Sequence, residues 1–63
     1  MHWYYMTERP AMPGSFPRGV IEIKDNYPPV AVEGVSDHVY AEIAYERELT
    51  ENEILQYELV PKD

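Results

Sequence analysis

The sequence predicts an α+β domain: a three- to four-stranded antiparallel sheet with one short C-terminal helix. Three observations carry that expectation. Residues 38–46 alternate with period two, the spacing that sends successive side chains to opposite faces of a strand. Thr50-Glu51-Asn52-Glu53 has the form of a capping box just before an apolar stretch. Residues 8–19 hold three prolines and two glycines, which excludes helix and central strand there, because proline fixes φ and lacks the N–H donor.

Taken in order, His2 to Thr7 reads as an aromatic-rich strand, with Trp3 and Tyr5 on one face and His2, Tyr4 and Met6 on the other. Both faces are apolar, as expected of a strand covered on two sides or one whose outer face meets a partner. The Pro/Gly-rich stretch from Glu8 to Gly19 is a long crossover loop, expected to pack over the sheet through Met12 and Phe16. Its Arg9-Pro10-Ala11-Met12-Pro13 run also contains a minimal Pro-x-x-Pro, the form of a polyproline ligand.

Val20 to Lys24 reads as a strand with Ile21 and Ile23 inward and Glu22 and Lys24 outward. Asp25 to Pro29 is turn chemistry, Val30 to Glu33 a further strand, and Gly34 to Asp37 a second turn. In His38 to Glu46, Val39, Ala41, Ile43 and Tyr45 form one face; Tyr40, Glu42, Ala44 and Glu46 form the other. The helix starts after Leu49, with Thr50 as its cap, two glutamates at the positive end of its dipole, and Leu49 placed to staple onto Ile54. Its apolar face is expected from Ile54, Leu55 and Tyr57. Leu59-Val60 leaves in an extended form and Pro61 stops the helix.

Sixty-three residues allow one small domain, residues 1–63, with no internal repeat. The chain has no cysteine, so neither a disulfide nor a thiolate metal site can supplement its core. No apolar run approaches the roughly 18 residues of a membrane-spanning helix, and the start lacks the basic region of a secretory signal. The expectation is a cytoplasmic protein.

The formal net charge is −7, and it is unevenly placed. Residues 1–32 balance three acids with three bases; residues 33–63 carry nine acids against Arg47 and Lys62. Such a surface repels nucleic-acid phosphates and anionic membranes and attracts a basic protein. Acids at this density also serve solubility alone.

Catalytic chemistry finds little support. No nucleophile elbow, phosphate-binding glycine loop or zinc-binding helix motif appears. Asp37 and His38 are adjacent, and neighbours on a strand point to opposite faces. No enzyme activity, cofactor or metal is expected, since His2 and His38 have no spacing that demands a shared ion. The candidate site is instead a binding surface. Glu42, Glu46, Glu48, Glu51 and Glu53 form a run of carboxylates able to imitate phosphates, of which the first four are the candidate contacts; Tyr40 shares a strand face with Glu42, and Trp3 or Tyr5 supplies an aromatic anchor of the kind favoured at interfaces.

The aromatic start, Arg9-Pro10, Phe16-Pro17-Arg18-Gly19, and the run Leu49-Thr50-x-x-Glu53-Ile54-x-x-Tyr57-Glu58-Leu59-x-Pro61 together resemble small uncharacterised proteins of bacterial plasmids, conjugative elements and phages. The resemblance carries no activity or residue role. It implies a context in which small proteins bind and disable host factors. The reading is a non-enzymatic acidic protein-binding module, an inhibitor that covers the basic nucleic-acid-binding cleft of a host protein, with no direct nucleic acid or membrane partner. The alternative is a structural subunit that self-associates as a homo-oligomer through a strand edge or aromatic face.

Overall fold

The computed structural model describes residues 1–62. The elements run β1 (His2–Met6), β2 (Val20–Val30), β3 (Val39–Tyr45), α1 (Glu51–Gln56) and β4 (Leu59–Pro61). The strands form one antiparallel sheet in the order β2-β3-β1-β4, so the expected α+β architecture stands with four strands.

The pairing of β1 with β3 sets the two faces. His2 lies opposite Tyr45, Tyr4 opposite Ile43 and Met6 opposite Ala41, which aligns the apolar sides of both strands. Val39, Ala41, Ile43 and Tyr45 are fully buried, as the alternation predicted, and Tyr4, Met6, Leu49 and Leu59 join them. The core is covered by α1, through Ile54 and Tyr57, and by the 8–19 loop, through Ala11 and Phe16.

The loop owes its order to polar fastenings. Met12-Pro13-Gly14-Ser15 closes with a Ser15 N–H bond to the Met12 carbonyl, and Gly14 takes φ +87°, the proline–glycine signature of a type II turn. The Ser15 hydroxyl accepts from Met12 N–H at 2.8 Å and donates to the Met12 carbonyl at 2.6 Å. Further along, the Pro17 carbonyl accepts from the buried Tyr45 hydroxyl at 2.6 Å. Phe16 packs inward as expected; Met12 does not, remaining 54% exposed at the turn.

β2 departs from the sequence reading. The expected turn at 25–29 and separate strand at 30–33 are replaced by one strand reaching Val30, and the chain reverses within 31–38. Pairing to β3 is regular only from Glu22 to Asp25, resumes at Val30, and skips residues between. The prolines at 28 and 29 therefore make a bulge in a continuing edge strand, where a missing donor costs no ladder bond. Ile23 does sit across from Ile43, on the core side, yet it stays 39% exposed, and Ile21 stays 47% exposed at a register break. An edge strand beyond the reach of α1 and the loop has nothing to bury them.

α1 begins as predicted: Thr50 accepts from Glu53 N–H while Glu53 accepts from Thr50 N–H. The expected apolar face is corrected at Leu55, which is 70% exposed. In a six-residue helix only one side can reach the sheet, and Ile54 with Tyr57 occupies it. Glu58 then adopts φ +53°, turning the chain back into β4. Its carbonyl accepts from the Thr7 hydroxyl at 2.8 Å, tying the end of β1 to this reversal.

Candidate functional site

The sheet face away from the core brings four of the predicted residues together. Trp3 lies opposite Ala44, and Tyr5 opposite Glu42; Tyr40 shares the parity of Glu42 and Ala44. All four of Trp3, Tyr5, Tyr40 and Glu42 are half-buried. On the flanks, Lys24 of β2 lies opposite Glu42 and Glu22 opposite Ala44, while Val60 of β4 lies opposite Tyr5. α1 and the 8–19 loop pack on the opposite, core face, and on this face the side chains cover one another. Ala44 retains no exposure because its methyl group lies low between Trp3 and Glu22.

Charge on this face is balanced. Lys62 Nζ sits 2.7 Å from Glu42 Oε1 and also approaches Trp3 and Tyr5, at 5.7 and 5.9 Å from their ring centres. Lys24 Nζ lies 4.7 Å from the Trp3 ring centre. These cation–π contacts place positive charge over the indole from both sides of the sheet. The open face is therefore an aromatic platform with paired charges rather than an acidic one, and Glu42 is its internal anion.

Part of the uncompensated charge lies at the corner where β3 leads into α1. Glu46, Glu48 and Glu51 are exposed there, and among the described residues none of the three has an ion pair or side-chain hydrogen bond. The corner beneath them is tightly fastened. Arg47 makes a bidentate pair with Glu53, each nitrogen–oxygen distance 2.8 Å. Glu53 also closes the capping box, and these donors hold its carboxyl down at about 2. Leu49 is buried between the exposed glutamates, and its N–H donates to the Tyr4 hydroxyl at 2.8 Å. The predicted run of carboxylates is thus divided: Glu42 belongs to the open face, Glu53 is taken up by Arg47 and the Thr50 cap, and Glu46, Glu48 and Glu51 form the acidic corner.

Two exposed side chains lie beside these regions: Leu55, expected on the buried helix face, and Tyr27, which the sequence reading placed in a turn. Leu55 lies one turn after Glu51 on the same side of α1, adding an apolar spot to the acidic corner. Tyr27 projects from the β2 bulge, 94% exposed. The Tyr-Pro-Pro sequence was its only signal, and that was consistent with an ordinary turn.

Elsewhere, Glu8 and Glu58 lie close enough for the Glu58 carboxyl to be pushed up, chiefly by its hydrogen bond to Glu8. His2 and His38 do not meet: His2 pairs with the last residue of β3 and His38 precedes the first, a separation of roughly 20 Å at the rise of a strand. Among the described residues no group of three His, Cys, Asp or Glu side chains could hold a metal ion, and no helix is long and apolar enough to cross a membrane.

Comparison with known proteins places the chain in a family. The family model described as "Defence against restriction A C-terminal" matches residues 1–63, so the chain belongs to that family, which is associated with phages and mobile elements. No curated protein and no solved structure gives a significant match. The mobile-element context expected from the sequence holds at this level, and membership points to a role in defence against restriction.

Proposed function

We propose that this chain is a non-enzymatic protein-binding module that docks on a restriction endonuclease and covers its basic DNA-binding surface. The observation that carries the reading is the acidic corner: Glu46, Glu48 and Glu51 stand exposed and, among the described residues, unpaired on a support fixed by Arg47, Glu53, the Thr50 cap and buried Leu49. The backbone that carries them is already ordered, so binding costs only the ordering of the glutamate side chains themselves, and more of their attraction to a basic surface appears as affinity. A protein that grips DNA does so mainly through Lys and Arg contacts to phosphates, and a set of carboxylates on an ordered backbone meets the same groups. Leu55 adds an apolar contact at the edge of the corner, and the aromatic face of Trp3, Tyr5 and Tyr40 gives a second contact area for a large partner. The family's association with defence against restriction supports the choice of partner class.

The test is competition. Labelled duplex DNA bound to a restriction endonuclease is titrated with the chain, then with a variant carrying Glu46→Lys, Glu48→Lys and Glu51→Lys. The wild-type chain should displace DNA, increasingly well at low salt, and the variant should fail while keeping its circular dichroism spectrum. Equal displacement by the folded variant would remove the corner from the mechanism. Failure of the wild-type chain across endonucleases of different classes would reject the partner.

A further inference from the structure

The sheet has two edges, and they differ. The β4 edge is three residues long, includes Pro61, and lies beside α1. The β2 edge is long, and no strand pairs with it among the described residues. Along it Ile21 and Ile23 remain 47% and 39% exposed, close to the regular stretch from Glu22 to Asp25. A free ladder edge flanked by exposed β-branched residues is a template for another strand.

The charges on this stretch favour a second copy of the same strand. Glu22 and Lys24 flank Ile23 and share the open face, opposite Ala44 and Glu42. We propose that β2 pairs antiparallel with β2 of a second copy, Ile23 opposite Ile23, to give a two-fold symmetric eight-stranded sheet. In that register Glu22 of each copy faces Lys24 of the other, so both cross-strand charge pairs are opposite in sign, and the two isoleucines meet on the core side. Sliding the register by two residues puts Glu22 against Glu22, or Lys24 against Lys24. Sliding it by one puts the open face of one copy beside the core face of the other. The Ile23-centred register is therefore the one that satisfies both charge and facing. Lys24 reaches the partner by a change of rotamer from its position above Trp3, since its ammonium is carried on a long flexible stem. Glu22 and Lys24 lie outside the acidic corner that carries the endonuclease reading, and although Lys24 sits over Trp3 of its second contact area, self-association is measured with no endonuclease present, so the two readings fail separately.

Sedimentation equilibrium of the full chain over a wide concentration range tests it. The wild-type chain should show a monomer–dimer equilibrium. Glu22→Lys alone and Lys24→Glu alone should each weaken self-association by about ten-fold, because each makes both cross-strand pairs alike in charge. Mixed in equal amounts, the two variants should recover dimer, as the charges between unlike chains are again opposite. The double variant Glu22→Lys/Lys24→Glu should self-associate as the wild type does. Circular dichroism checks that each variant is folded, and wild-type amide exchange should show protection of β2 that rises with concentration. A wild-type chain that stays monomeric, variants that dimerise unchanged, or folded variants that fail to recover on mixing would overturn the proposal.

Discussion

Tyr4 and Tyr45 each combine packing with a backbone bond. Their rings meet edge to face in the core, 6.1 Å between centres, and their hydroxyls engage different parts of the cover. Tyr45 donates to the Pro17 carbonyl and holds the loop; Tyr4 accepts from Leu49 N–H and holds the corner. Replacing either by phenylalanine keeps the ring and strands a buried partner, so each variant should lose about 1–3 kcal/mol in urea unfolding. A change under about 0.3 kcal/mol would mean that water restores the bond. Burial pushes the Tyr45 hydroxyl up to about 12. Its ionisation is thus harder in the folded chain, and stability should fall as pH rises from about 10 toward 12. At the acid end two glutamates act in opposite senses. Glu53, held down by Arg47, contributes stability above its ordinary value that is lost as pH falls toward about 2. Glu58, pushed up beside Glu8, disfavours the fold once both are ionised, so Glu58→Gln should raise Tm at pH 7 and have no such effect well below pH 4. The sequence left the division of labour between Tyr4 and Tyr5 open. Both faces of β1 are apolar, and only the register with β3 decides which tyrosine enters the core.

At the level of elements, β3 and α1 were legible because their signals are local. Alternation and a capping box are complete within a few residues, and tertiary structure had only to accept them. Thr50→Ala removes the cap hydroxyl and should cost about 1 kcal/mol, read as a lower Tm together with faster amide exchange in 51–56. An unchanged exchange rate there would show that packing of Ile54 and Tyr57 alone holds the helix. β2 was read less well, for an identifiable reason. Its alternation is real, and Ile23 does face the core side, yet nothing in the local sequence says that a strand will end at the sheet edge. The Tyr27-Pro28-Pro29 segment has turn composition, and an edge strand tolerates the same composition as a bulge. Leu55 illustrates the same limit: its spacing fits a helix face, but a helix this short buries only one side.

For the molecule as a whole, charge asymmetry was the most informative feature of the sequence, and the structure gives it a location. The acids of the second half do not spread evenly. Glu42 is absorbed by Lys62 on the aromatic face and Glu53 by Arg47 in the cap, Glu46, Glu48 and Glu51 are left at one corner, and Glu33, Asp37 and Glu58 lie outside it, Glu58 beside Glu8. The sequence pattern could name these glutamates but could not sort paired from unpaired, because the partners lie 20 and 6 residues away along the chain. The sorting gives an acidic corner between β3 and α1, and the strand order gives a β2 edge with no partner strand among the described residues, so the two surfaces lie at different places. The most direct test of the corner is amide hydrogen exchange of the chain with and without a restriction endonuclease. Protection concentrated in residues 46–56, with a smaller effect around Tyr40 to Glu42, is the predicted result. Protection confined to the 8–19 loop or to the Tyr27 bulge, with the corner unchanged, would contradict the account.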